Sequence, residues 1–409
     1  MTLLDLFAAV LVLTALAAAA NDRLLDLPHS VGLLIVGLLG AFAIAVVDWA
    51  APGLNLGRGI RSVLAAIDLK TVFLDGFLSA LLFAGALQVD LAVLRGRAVA
   101  VGVLATAGVL IATVTAGLAI WLAAPAFNVA LPLIWSMVFG ALISPTDPVA
   151  VLAMLKTVRI PPALEVKIAA EALFNDGVGI VVFTIVMAMA SGGSVGWLGA
   201  MQLFVAEALG GALLGLLAGW LASQLMARLS GATAMLLVTL ALVVATYAIA
   251  LHLHLSGPIA MVTAGLLTGH ALRGDMREQV WHFWELVEEL LNALLFLLIG
   301  LELIAITPHF AALGLALAAI GIVLGCRYLS VAIPISLLRP WDSFSPGTVP
   351  ILTWAGLRGG ISVALALSLP ESPEKNVILT ATYVVVVFSI IVQGLTMPRL
   401  IRRYYPAAS

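Results

Sequence analysis

Long apolar runs, separated by short polar or Pro/Gly-rich breaks, repeat along the whole chain. Crossing about 30 Å of hydrocarbon takes about 20 helical residues, and the pattern divides into thirteen such runs: 3–20, 30–49, 71–89, 98–123, 131–155, 164–190, 197–227, 232–252, 257–271, 280–305, 309–338, 347–370 and 376–398. The ninth is short. The first carries Asp5 where a leader would be positive and continues into Asn-Asp-Arg rather than a cleavage context, so it is read as a retained helix. With the N-terminus outside, the inside segments hold thirteen Lys and Arg and the outside loops four (Arg58, Arg61, Lys70, Lys375). That positive-inside bias sets the orientation and supports the count. No linker or charge run marks a soluble domain, so residues 1–409 are expected to form one membrane domain.

Composition strengthens this reading. With 63% hydrophobic and 10% charged residues and a mean hydropathy of +1.19, too little polar surface is left for a water-soluble protein of this size. The expected fold class is an all-α polytopic membrane protein. The basic residues are scattered through loops, which excludes a nucleic-acid stripe. A lone cysteine, Cys326, excludes an intrachain disulfide, and six irregularly spaced histidines give no zinc pattern; His252-Leu-His254 reads as a helix end.

Polar residues inside the apolar runs carry the chemistry, because a charge in hydrocarbon costs at least ~2.5–3.5 kcal/mol and needs a partner, a proton or an ion. The fifth run contains Ser144-Pro-Thr-Asp-Pro148, where two prolines remove helical donors and break the helix. A break at membrane depth exposes carbonyls and helix-end dipoles, tolerated where it is buried or lines a cavity, so Thr146 and Asp147 form a candidate cation site. The twelfth run holds Trp354-Ala-Gly-Leu-Arg-Gly-Gly360. Runs five and twelve are seven apart, as expected if runs four to six and eleven to thirteen are inverted repeats, and paired interrupted spans point to a transporter's binding site. Arg358 would then lie against carbonyl ends of the broken helices, where a fixed cation is favourable.

The sixth run contains Glu171-Ala-Leu-Phe-Asn-Asp176. Glu171 and Asn175 are four apart and share a helical face, whereas Asp176 lies ~140° around from Glu171 at ~100° per residue. Arg327 in run eleven, the other intramembrane charge not yet accounted for, is the expected partner of Glu171 in a buried structural pair. Asp176 is left for the transported ion and the proton. A carboxylate that alternately holds a hard cation and a proton gives exchange by competition, with oxygen ligands from Asp147, Asp176, Thr146 and waters. Asn175, an amide, cannot carry a proton, which favours one cation for one proton and an electroneutral cycle provided Asp147 keeps one protonation state.

These motifs (Glu-x-x-Phe-Asn-Asp-Gly, Thr-Asp-Pro in the run before, an arginine in run eleven, Gly-Leu-Arg-Gly-Gly in run twelve and Leu295-Phe-Leu-Leu-Ile-Gly-Leu-Glu302 in run ten) occur in order along essentially the whole chain. In this the chain resembles the NhaP-type sodium/proton antiporters of the cation:proton antiporter-1 family, related to animal sodium/proton exchangers. The resemblance implies an NhaA-like fold of thirteen helices with two crossed discontinuous helices. It implies a six-helix core formed by runs four to six and eleven to thirteen (98–190 and 309–398), the other runs forming a dimerisation scaffold. A homodimer in the cell membrane, elevator-like alternating access and transport of Na+ or Li+ follow from it, with no cofactor. Carried over to this chain, it assigns Asn175 with Asp176 and Thr146 with Asp147 to the ion site, and Glu171 with Arg327 to the ion pair.

Two positions depart from relatives. Ala172 stands where some carry a serine, and Ala84 where similar proteins often have a glutamate. Fewer protein oxygens mean more water around the ion, and the nearest alternative is a K+/H+ exchanger of the same fold. Glu285, Glu288 and Glu289 with Trp281, His282 and Trp284 read as an interfacial helix start with an aromatic belt, or as an acidic cytoplasmic funnel. A cation channel is disfavoured because one asymmetric site replaces a symmetric filter. A carrier for organic acids is disfavoured because the site is acidic, and a receptor because no output domain is present. An enzyme is not expected.

Overall fold

The computed structural model describes residues 3–51, 57, 71–96, 98–147, 162–192, 197–272, 274–304, 310–340, 344–345 and 347–405. Pro148 and the inner end of the fifth run, together with Arg58, Arg61, Lys70, Arg97, Lys156, Arg159 and Arg273, lie outside the described residues. Secondary structure among the described residues is entirely helical. Eight helices there are long and apolar enough to cross a membrane, or nine when the bent pair Thr348–Ala355 and Gly360–Leu367 counts as one span.

Helix boundaries fall where local chemistry puts them. Ala98–Ala123, Ala232–His252 and Gly257–Ala271 coincide with the predicted runs. The last begins at Ser256, whose hydroxyl accepts from the Ile259 N–H while Pro258 fills the first turn, a cap and a proline where helix starts favour them. The same device moves the thirteenth helix: it starts at Pro373, three residues before the predicted 376, because Ser372 caps the Lys375 N–H at 3.1 Å. The tenth starts at Gly274 rather than 280, since its amphipathic first turns are helical although not apolar.

The aromatic-belt reading of Trp284 is corrected. Its ring is fully buried, donates to Thr239 Oγ1 at 3.0 Å and meets Phe83 edge-on at 4.9 Å between centroids. Trp281 instead stacks under Arg277, 4.0 Å from the ring centroid.

The helices pack in two groups. In one, Ala98–Ala123, Leu133–Ile143, Pro162–Ala190, the bent pair, Phe310–Leu338 and Pro373–Phe388 enclose an apolar core containing Phe139, Phe183 and Leu365. In the other, Leu78–Gln88, Trp197–Met226, Ala232–His252 and Gly257–Ala271 surround Phe83 and Trp284, while His29–Ala50 packs along Gly274–Glu302. The latter pair touch at Gly37 and Gly300, where a Cβ on Gly300 would lie 2.8 Å from the Gly37 Cα. Small residues give such helices close backbone contact, the main packing resource in lipid.

Candidate ion-binding site

Three interruptions and one continuous helix build the site. Leu133–Ile143 ends at Ser144, and the chain from there to Asp147 is non-helical. The second interruption spans Gly356 to Gly359, with a bend of 45° between its helical halves. The third is a π-helical segment, Ser389–Gln393, inside the last long helix. Such irregular turns leave polar backbone groups without helical partners, which at membrane depth must be satisfied by protein.

Each interruption satisfies the others. The Asp147 N–H donates to the Leu357 carbonyl at 2.8 Å, so the first two breaks are joined backbone to backbone. The Arg358 guanidinium donates through Nη1 to the carbonyls of Ser144 and Pro145, the latter at 2.9 Å. It thus supplies positive charge at the carbonyl end of Leu133–Ile143. The Arg358 N–H donates to Ser389 Oγ at 2.9 Å and Gln393 Nε2 to the Trp354 carbonyl at 3.2 Å, so the π-helical turn aims two side chains at groups freed by the glycine break.

The glycines of that break make room for charged neighbours. A Cβ on Gly356 would fall against Arg327 Nε and within 3.0 Å of its Cδ. A Cβ on Gly359 would fall against Asp147 Oδ2 and 2.7 Å from Asp147 Cβ. The Asp147 carboxylate therefore rests at the start of Gly360–Leu367, while Arg358 rests at the end of Leu133–Ile143. A negative charge faces a helix start and a positive charge a helix end, both in the favourable sense.

The helix Pro162–Ala190 carries the remaining groups. Glu171 and Arg327 form a bidentate pair, Nη1 to Oε1 and Nη2 to Oε2, each at 2.8 Å, with both side chains buried. Arg327 also donates to the Leu352 carbonyl at 3.2 Å, tying the pair to the bent helix. Asn175, one turn on, donates to Glu171 Oε1 at 3.2 Å and to Thr146 Oγ1 at 3.3 Å. Its amide thus bridges the ion pair to the first break.

Asp176 points elsewhere, as its position around the helix requires. It is 3% exposed, its Oδ1 has no hydrogen-bond partner, and it lines a cavity of about 60 Å³ together with Thr146 and Asp147. A water needs about 10–15 Å³ of such space, so the cavity admits an ion with a few waters. Across from Asp176 the lining comes from Leu78–Gln88 and Gly274–Glu302, including Glu288 and Asn292.

The structure therefore brings Thr146, Asp147, Asn175 and Asp176 together at the crossing, with Glu171, Arg327 and Arg358 immediately behind. Ala84 and Ala172 are buried and add no oxygen. Sequence reading missed Ser389, Gln393, Asn292 and Ser362. The two amides were detectable as polar residues within apolar runs; the two serines were not, because hydroxyls are ordinary in membrane helices.

Comparison with known proteins adds the family. Residues 9–403 match the family model described as sodium/hydrogen exchanger, transmembrane. The chain is 43% identical over 98% of its length to a Pseudomonas aeruginosa protein named Na(+)/H(+) antiporter NhaP, covering 97% of it. It is 31% identical to Na(+)/H(+) antiporter NhaH of Halobacillus dabanensis, with 98% of both chains covered. Its fold is similar to the structure of the sodium proton antiporter MjNhaP1 from Methanocaldococcus jannaschii at pH 8, with a TM-score of 0.77 at 20% identity, covering 99% of this chain and all of that one.

Proposed function

The chain belongs to the sodium/hydrogen exchanger family, a family of membrane transporters and not of enzymes, and on that premise we propose that it exchanges one Na+ or Li+ for one proton by alternating access at Asp176 and Asp147. It is a multi-pass membrane protein of the Na+/H+ antiporter type. The observation that carries the mechanism is the unpartnered Asp176 Oδ1 facing a small cavity, while Glu171, Arg327 and Arg358 are held by protein groups.

In this reading the cation enters the cavity, loses part of its water shell and is held by Asp176 with Asp147, Thr146 and retained waters. Oxygen ligands of this kind suit hard cations. The cation and the proton compete for Asp176, so each bound state excludes the other. Thr146 is positioned by the Asn175 amide, and Asn175 carries no proton, so the turnover is electroneutral when Asp147 keeps its charge.

The six helices of the first packing group are the moving core, and the others are the scaffold through which two copies form a homodimer. With the N-terminus outside and the C-terminus cytoplasmic, the cavity reaches from Asp176 past Asn292 and Glu288 toward the cytoplasmic end of Gly274–Glu302. Glu288 in this lining supports the funnel reading of the acidic cluster. K+/H+ exchange is the second reading, supported by the buried alanines at positions 84 and 172, which leave more of the ion's shell to water.

The test is proton flux in proteoliposomes with an imposed ΔpH, adding Na+, Li+ or K+ in turn, with and without a clamp of the membrane potential. Flux driven by Na+ and Li+, indifferent to the clamp and abolished by Asp176→Asn, is the expected outcome. An equal K+ response moves the assignment to the second reading, and cation flux in the variant without proton coupling overturns the mechanism.

A further inference from the structure

Hydroxyls in this protein's helices mostly turn back on their own helix. Thr14, Thr106, Thr184, Ser223, Thr380 and Thr382 each donate to the carbonyl four residues earlier, which is the usual way of satisfying a hydroxyl in an apolar environment. Ser362 does not. It is 1% exposed, its Oγ has no hydrogen-bond partner, and it lines the cavity that holds Asp176 and Asp147.

Asn292 has the same character on the opposite wall. It is 4% exposed within Gly274–Glu302, its Nδ2 has no partner, and it lines the same cavity. Leaving a buried amide or hydroxyl without a partner is costly, and two such groups on one small cavity beside two carboxylates indicate partners that come and go with its contents. The side chains come from different packing groups: Ser362 lies on the bent helix beside Asp147, and Asn292 on the helix that faces it.

We propose that Asn292 and Ser362 complete the shell of the transported cation on its open side, acting mainly through the waters the ion retains, and thereby set its apparent affinity and ion preference. This rests on the assignment of Asp176 and Asp147 as the ion-binding carboxylates. Apart from Glu288, the rest of that wall is apolar or glycine, with Leu78, Leu81, Leu82, Gly85 and Leu295 among its lining residues. The Ser362 hydroxyl oxygen can ligate a hard cation directly or through water, and the Asn292 amide N–H groups can donate to the oxygens of the waters the ion retains. Because Asn292 belongs to the facing group, its contribution lasts only while the core is in the present position. The affinity on this side of the membrane then differs from that on the other.

The experiment uses the full-length protein in proteoliposomes and compares wild type with Asn292→Leu, Asn292→Asp, Ser362→Ala and Asp176→Asn. It measures apparent KM and maximal rate for Na+, Li+ and K+, together with thermal stability in detergent with and without Na+. The expected result for Asn292→Leu is a rise in Na+ KM of about tenfold with a maximal rate within about twofold, the scale of one lost polar contact. Ser362→Ala raises KM about threefold on the same scale, and Asn292→Asp, which keeps an oxygen on the cavity wall, restores a KM at or below wild type. Each altered KM comes with a changed ratio among the three ions.

Unchanged KM values in both Ser362→Ala and Asn292→Leu overturn the proposal. So does a parallel loss of rate and stability in both without a change in KM, which is the signature of packing alone. Should Asn292→Leu not fold, Ser362→Ala decides alone by the same criteria. Continued Na+-driven proton flux in Asp176→Asn instead refutes the assignment of the carboxylates, whatever the other variants do.

Discussion

Glu171 and Asp176 lie five residues apart on one helix, equally buried, and do different things. Glu171 meets a guanidinium squarely, accepts a further bond from Asn175 and has both oxygens occupied. Asp176 keeps an oxygen without a partner at a cavity large enough for an ion and a few waters. The fixed pair joins Pro162–Ala190 to Phe310–Leu338 and, through the Leu352 carbonyl, to the bent helix. The comparison teaches that charge at membrane depth is not itself the mark of a transport site; what sets Asp176 apart is an unpartnered carboxylate oxygen on a residue that lines a cavity.

The comparison breaks most completely at Asp176. Asp176→Asn is expected to abolish cation-dependent proton flux while leaving the melting temperature equal to or above wild type, since it removes a buried charge without removing a partner. Flux assays and thermal melts on one preparation check both halves. Glu171→Gln is expected to do the reverse, destabilising the fold by about 3–5 kcal/mol by stranding Arg327. Replacing Glu171 and Arg327 together by apolar residues should recover much of that loss, as a double-mutant cycle on thermal stability would reveal.

A smaller intrusion sharpens the contrast. Gly359→Ala places a methyl against the Asp147 carboxylate and should lower transport by about tenfold or more, because misplacing a reacting group by about 1 Å costs on this scale. Gly321→Ala, where an added Cβ meets nothing within 4 Å, is the control expected to transport normally. The smallest effect is expected at Ser389→Ala, which deprives the Arg358 N–H of its acceptor. A stability loss of about 1–3 kcal/mol, typical of a stranded buried donor, should accompany a transport rate reduced only about two- to threefold.

The sequence was most legible where one-dimensional spacing maps directly onto geometry. Runs of apolar residues foretold helix bounds, often to within one or two positions, because a membrane helix must be long and apolar enough to cross hydrocarbon. The four-residue step from Glu171 to Asn175 put them on one helical face, where the Asn175 amide donates to Glu171. Errors arose where length and polarity do not decide. Gly274–Glu302 begins in charged amphipathic turns that hydropathy passes over, and Trp284 was read as interfacial although the fold closes Phe83 and Thr239 around it.

By itself, then, the sequence determined the membrane class, many of the helix bounds and the burial of Glu171, Asp176, Arg327 and Arg358, since each follows from the cost of putting polar groups in hydrocarbon. The resemblance of its motifs to known antiporters supplied the ion class. Tertiary structure alone decided which freed backbone group meets which distant side chain: Ser389 on the Arg358 N–H, Gln393 on Trp354, Arg358 on Ser144 and Pro145. It alone also put Asn292 and Ser362 around the cavity of Asp176. These partners are scattered through the chain, and hydrogen bonds of a few ångströms are set by how helices cross, which local periodicity does not encode.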